Sequence, residues 1–262
     1  MLTIQQIIDS ITATVPGAPF KETVDTVKCG DPAQDVTGIV TTFLATTAVI
    51  RRAIELGANF IISHEAPFYQ HHDEIEDRVN DPVFVAKREL LESSGIVIWR
   101  FHDLWHRHQP DGILTGTIRT LGWEALVTPD NPYFVTLEAP QPLDAVAAHV
   151  KARLGAACVR VVGPADLECR TVAVLPGFPG NNPQMDVLAG PVDAVIVGEG
   201  HEWETPEYVR DALAHGFNKA MIVLGHAISE EAGMAYLVEW LEPHCPGVPV
   251  THVPTTDPFR WV

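Results

Sequence analysis

Asn59-Phe-Ile-Ile-Ser-His64-Glu65-Ala-Pro-Phe-Tyr69 is an apolar run of strand length that stops at a histidine beside a carboxylate, with Pro67 turning the chain behind it. Ahead of it, Thr47 to Leu56 has apolar residues at helical spacing and is closed by Gly57, the residue that most readily takes a left-handed C-cap. The unit is therefore helix, glycine, buried strand, then His-Glu at the strand's carboxyl end. In open α/β sheets that end is where ligands sit.

The same unit returns twice. Pro82 to Ser94 is helical in period, Gly95 closes it, Ile96 to Trp99 is an apolar strand, and His102-Asp103 follows. Pro206 to His215 is helical, Gly216 closes it, Ala220 to Leu224 is a strand, and Gly225-His226 follows. A satisfied core histidine accounts for any one of these. It does not account for three at the same relative position, each near a carboxylate. The pattern predicts an α/β fold, with a domain transition at the turn-rich Thr128-Pro-Asp-Asn-Pro132.

A chain of 262 residues with 46% hydrophobic and 19% charged residues is ordinary for a globular protein. Its formal net charge of -17 argues against a nucleic-acid surface and against anionic membranes, both of which call for basic patches. The cysteines, Cys29, Cys158, Cys169 and Cys245, form no C-x-x-C pair, which fits a reducing compartment. Met1 to Asp9 reads as a first helix and not a leader, and no apolar run reaches spanning length. The expected compartment is the cytoplasm.

The residues that can carry chemistry are His64-Glu65, His102-Asp103 with His106, and His226 with Glu230. Imidazoles mixed with carboxylates suit Zn, Mn, Fe, Co or Ni and are too nitrogen-rich for Ca or Mg. His226 and Glu230, like His102 and His106, stand one helical turn apart, so each pair can share a helix face. One tetrahedral ion takes three or four protein ligands. The surplus points to two divalent transition-metal ions, with some residues holding ligands in place from behind. Two ions roughly 3.5–4 Å apart would activate a bridging water, which is hydrolase chemistry. His71-His72, in a charged loop, reads as solvated, with ligation the less favoured alternative. No G-x-S-x-G elbow and no P-loop is present. Gly177-Phe-Pro-Gly-Asn-Asn182 reads as a surface turn, the alternative being an anion contact through its backbone amides.

Cys29-Gly30-Asp31 with Gly38, Ser63-His64-Glu65-Ala66-Pro67, Arg100-Phe101-His102, Gly198-Glu199, Gly225-His226-x-x-Ser229-Glu230 and Asp257-Pro258-Phe259 follow one another in an order that resembles the NIF-three-like family. Its members are dinuclear-metal-centre hexameric proteins grouped with the type 2 homologues of GTP cyclohydrolase I. The resemblance covers nearly the whole chain. It implies two α/β portions, residues 1–130 with 220–262 carrying most candidate ligands and residues 131–219 forming the other, with strand ends converging on metals in the cleft between them, and a homohexamer. It also implies that His64, His226 and Glu230 are ligands. Glu65 stands where the family has a second histidine, and His106 where it has a bridging aspartate, with Asp103 nearby as a substitute. His102 and Glu199 are further ligands or supports. The expected function is a metal-dependent hydrolase of a small phosphorylated, nucleotide-like or cyclic-amide substrate. The alternative is a non-catalytic metal-handling protein or a scaffold with structural metals.

Overall fold

Gly57, Gly95 and Gly216 have φ of 67°, 69° and 81°, so each of the three helix–glycine–strand units turns through the left-handed region where a Cβ is penalised. The computed structural model describes residues 2–260 and 262. In it the chain divides into two compact units, Met1–Gly112 with Met234–Thr256, and Ile113–Gly233 with Asp257–Val262. Each unit contains one five-stranded sheet.

The first sheet has β1 (Val27–Cys29), β2 (Ile39–Leu44), β3 (Phe60–Glu65), β4 (Val97–Arg100) and β10 (Val250–His252) in the order β1-β4-β3-β2-β10. All neighbours are parallel except β1, which runs antiparallel to β4. Phe60, Ile61 and Ile62 of β3, and Val97 and Ile98 of β4, are fully buried. Each such side chain contributes about 1.5–3 kcal/mol by leaving water. Helices α2 (Thr47–Glu55) and α3 (Pro82–Ser94) are the crossovers that parallel pairing requires. Asp81 caps α3 by accepting from the amides of Val83 and Phe84, and Pro82 opens it where a missing N–H costs nothing. The first helix, α1 (Ile4–Thr12), starts behind a Thr3–Gln6 capping box; Met1, the start of the expected helix, lies outside the described residues.

The second sheet has β5 (Phe134–Pro142), β6 (Arg160–Val162), β7 (Glu168–Leu175), β8 (Ala194–Val197) and β9 (Ala220–Val223) in the order β5-β7-β8-β9-β6. The inner strands β7, β8 and β9 are parallel, and the edge strands β5 and β6 are antiparallel to their neighbours. Helices α6 (Leu143–Arg153), α7 (Asn181–Ala189) and α8 (Thr205–Ala214) lie within the same unit. No described helix is long and apolar enough to cross a membrane.

The division differs from the expected one in a way that moves two candidate ligands. Residues 220–262 were expected to join the first portion. Instead β9 pairs in register with β8, Ala194 opposite Ala220, so His226 and Glu230 belong to the second unit. The first break likewise falls at Gly112, inside α5 (Gly112–Leu121), rather than at Thr128–Pro132. Within the second unit α5 lies against the start of α9 (His226–Leu241), where a Cβ on Gly116 would collide with the Ala232 carbonyl. Helix α9 starts at His226, so His226 and Glu230 stand on its first turns. In the turn after β3, Ala66, Pro67 and Phe68 are buried, and Tyr69 is exposed.

Candidate metal centre

In the first unit, parallel pairing of β3 and β4 brings their carboxyl ends side by side, with Ser63 opposite Arg100. His64 therefore emerges beside the segment that leaves β4 at His102. That segment coils at once into the short α4 (Asp103–Arg107). The coil places His102 and His106 one turn apart, with the His106 amide donating to the His102 carbonyl at 3.0 Å. The imidazoles of His64, His102 and His106 cluster: ring centroids are 4.7 Å apart for His64–His102 and 5.0 Å for the other two pairs. One donor atom from each lies within 4.8 Å of the others.

Each ring is oriented from behind by an oxygen. His64 Nδ1 lies 3.1 Å from the Phe101 carbonyl, His102 Nδ1 3.0 Å from Asp103 Oδ1, and His106 Nδ1 3.0 Å from Asp111 Oδ2. These oxygens accept, so a neutral ring at each position carries its proton on Nδ1 and its lone pair on Nε2. That is the usual arrangement of metal-ligating histidines. Burial holds His102 neutral, and the neighbouring His64 and His106 add to the effect, taking its pKa down to about 3. The three imidazoles could hold a metal ion.

Residues far away in sequence hold α4 in place. The Asp25 carboxylate accepts the amides of His102, Asp103 and Leu104 at 2.8, 3.0 and 2.6 Å. It is an N-terminal cap supplied from another segment. Burial raises the Asp25 pKa, and these three amides work against that rise. Asp103 is spoken for as well: its carboxylate accepts from Thr23 Oγ1 and the Val24 amide, besides His102. Although burial opposes it, those hydrogen bonds hold the Asp103 carboxyl below the ordinary range.

Glu65 follows His64 and accepts from Arg100 Nη2 at 2.8 Å. It also lies 3.7 Å from His102 Nε2. The Arg100 side chain is fully buried and donates further to the carbonyls of His64 and His71, at 3.2 and 2.6 Å.

In the second unit the parallel strands again deliver acidic and imidazole groups at their carboxyl ends. Glu199 lies beyond β8, and His226 opens α9 just beyond β9. His226 Nδ1 is 3.3 Å from Glu199 Oε1, and Nε2 is 3.2 Å from Glu230 Oε2 one turn along the helix. Burial works to lower the His226 pKa, but the two carboxylates outweigh it and push it up to about 10. A proton thus sits where the group would meet a cation. The hydrogen bond to His226 holds the Glu199 carboxyl down. Gly177, with φ of 66°, passes so close that a Cβ there would overlap the Glu230 carboxylate and come within 3.1 Å of His226 Nε2. Its amide donates to the buried Ser229 hydroxyl at 2.9 Å, which itself donates to the His226 carbonyl at 2.7 Å.

Of the residues singled out from sequence, His64, His102 and His106 come together, as do Glu199, His226 and Glu230. Asp103 supports His102, so of that adjacent pair it is the histidine that faces the cluster. Sequence reasoning missed Asp25 and Asp111, took Gly177 for the start of a surface turn, and named Arg100 only as part of the family motif. His106-x-x-x-x-Asp111 was the one local hint, since an imidazole ligand calls for an acceptor behind it.

Solved structures share the fold. A Bacillus cereus protein related to NIF3 superposes with a TM-score of 0.81 at 18% identity, covering 100% of this chain and 99% of that one. A protein called ybgI, described as of unknown function, gives 0.78 at 22% identity, over 98% and 100%. Reduced HcgD from Methanocaldococcus jannaschii gives 0.71 at 15% identity, over 96% and 97%. No curated protein matches the sequence significantly. The model of the family described as Duf34/NIF3 (NGG1p interacting factor 3) matches residues 2–258, and with that match over nearly its whole length the chain belongs to the DUF34/NIF3 family.

Proposed function

We propose that the protein is a metal-dependent hydrolase acting on a small phosphorylated, nucleotide-like or cyclic-amide substrate. The observation that carries this reading is the set of His64, His102 and His106, each pinned through Nδ1 by an oxygen acceptor. Three imidazoles are the ligand number of catalytic rather than closed structural sites. A divalent transition ion held by them supplies Lewis acidity and makes water a nucleophile near neutral pH. The protein's own part is orientation. Asp103 and Asp111 fix two rings, Asp25 fixes the turn between them, and Arg100 fixes the carboxylate of Glu65, a candidate further ligand. His226, Glu230 and Glu199 are the candidate donors for a second ion. The reading also has the chain working in the cytoplasm as a homohexamer, which rests on the family resemblance.

Elemental analysis of protein purified without chelator tests the premise, with two equivalents of Zn, Mn, Fe, Co or Ni per chain as the expected result. A screen against phosphomonoesters, nucleotides and cyclic amides then tests the activity. Turnover that is lost on chelation and restored by the metal supports a hydrolase. Full metal occupancy with no turnover on any class would favour the metal-handling alternative.

A further inference from the structure

His71 belongs to neither of the classes that its charged loop suggested, solvated or ligating. Its exposed ring meets that of His102 edge to face, with centroids 5.4 Å apart at 81°. Arg100 reaches it twice, through Nη1 to the His71 carbonyl at 2.6 Å and through Nη2 to His71 Nδ1 at 3.1 Å. A guanidinium has only donors and keeps its charge at all accessible pH. The Nδ1 facing it must therefore offer a lone pair, and the ring's proton must be on Nε2. Ligation through Nε2 would need the proton moved to Nδ1, against an N–H of Arg100.

The segment around His71 is held with similar care. Tyr69 and Asp73 flank it at φ of 67° and 59°, which non-glycine residues rarely adopt and which surrounding contacts must enforce. Those contacts are an ion pair from Lys28 to Asp73 and a hydrogen bond from Lys87 Nζ to the Pro67 carbonyl. The Lys87 ammonium also lies 5.1 Å from the centre of the Tyr69 ring. A merely solvated histidine would need none of this.

We propose that His71 is a fixed Nε2–H donor to an oxygen of the substrate, a carbonyl or phosphoryl oxygen, and that Arg100 both sets this tautomer and keeps His71 out of the ligand set. The role rests on the hydrolase reading, where a neutral imidazole polarises an oxygen and has no proton to accept. Arg100 is then a positioning residue, and one buried side chain serves His64, Glu65 and His71 together.

Nitrogen-15 NMR of histidine-labelled full-length protein at pH 7 tests the tautomer directly, in the metal-free and zinc-loaded states. The expected result is an unprotonated Nδ1 and a protonated Nε2 for His71; an Nδ1–H tautomer or a doubly protonated ring would overturn the proposal. Calorimetry on His71→Ala and His71→Gln then separates donor from ligand. Zinc affinity should stay within about twofold of wild type, since no ligand is lost. Inorganic phosphate should bind zinc-loaded His71→Ala about tenfold more weakly, the worth of one such hydrogen bond, with most of it recovered by glutamine. Lost zinc in His71→Ala, or unchanged phosphate affinity, would refute the donor role. A wild-type protein that binds zinc but no phosphate would count against the hydrolase reading and the substrate contact together, while the tautomer is decided by NMR alone.

Discussion

The Asp25 carboxylate accepts the backbone N–H of Leu104 at 2.6 Å, across 79 residues of sequence, and so fixes the turn that carries His102 and His106. A carboxylate serving three amides at once is a strong cap. Asp25→Ala should destabilise the fold by about 1–3 kcal/mol, leaving buried N–H groups unsatisfied. It should also weaken metal binding, because the two rings lose their common base. Urea unfolding with and without metal measures both; equal losses with and without metal would mean that the cap serves stability alone.

Asp111 acts one step further out. Asp111→Asn keeps the shape but removes the charge that accepts from His106 Nδ1. The expected result is a loss of about 10–100-fold in metal affinity with little change in melting temperature. Competition against a chromophoric chelator reads it, and wild-type affinity would show that His106 is not a ligand.

Gly177→Ala combines two penalties. The left-handed backbone disfavours a side chain by about 1–2 kcal/mol, and the new methyl overlaps the Glu230 carboxylate. Gly155→Ala is the control, since its φ of 67° is the same within a degree and nothing lies within 4 Å of the added carbon. Only Gly177→Ala should disturb metal binding at His226 and Glu230. Comparable metal affinities in the two variants would separate Gly177 from the donor set.

His102 and His226 shape the acid and alkaline limbs of metal-free stability in opposite ways. The His102 pKa falls from its ordinary 6.5 to about 3 on folding. The unfolded chain therefore binds the proton first, and His102's contribution is present above pH 6.5 and lost as pH falls toward 3. For His226 the pKa rises from 6.5 to about 10. Here the folded chain holds the proton more tightly, so the contribution is complete below pH 6.5 and disappears as pH rises through 10. Thermal melts of the chelated protein should show His102→Gln flattening the acid limb and His226→Gln the alkaline one. If either variant keeps the wild-type slope in its own window, the assigned environment is wrong.

A metal cation must displace the proton on His226. Binding there should release close to one proton per ion at pH 7, and affinity should rise with pH. Calorimetry in buffers of different ionisation enthalpy counts the proton. Release in wild type but not in His226→Ala is the expected result; equal release in both would place the titrating group elsewhere.

The three repeating units are legible because their punctuation is local: a glycine that must turn left-handed, an apolar run, then a histidine. Sheet membership is not local. Ala220 to Val223 reads the same whichever sheet it joins, and only its pairing with β8 places His226 in the second unit. The supports of the site escaped for a related reason. Asp25 sits in a stretch with no periodicity, and nothing near it announces amides almost eighty residues away. His102 and Asp103 could not be ranked from sequence, because the choice depends on Thr23 and Val24 already engaging the carboxylate.

Strand β10 pairs with β2, Val250 opposite Ile39, yet the ribosome makes it more than two hundred residues later. While the chain is being synthesised, the 113–233 unit can close before the sheet that preceded it has its last strand. Until then β2, with Val40 and Thr41 destined to be fully buried, presents an open row of amides and carbonyls. A nascent chain stalled before residue 250 accordingly presents that open edge of β2 to other strands.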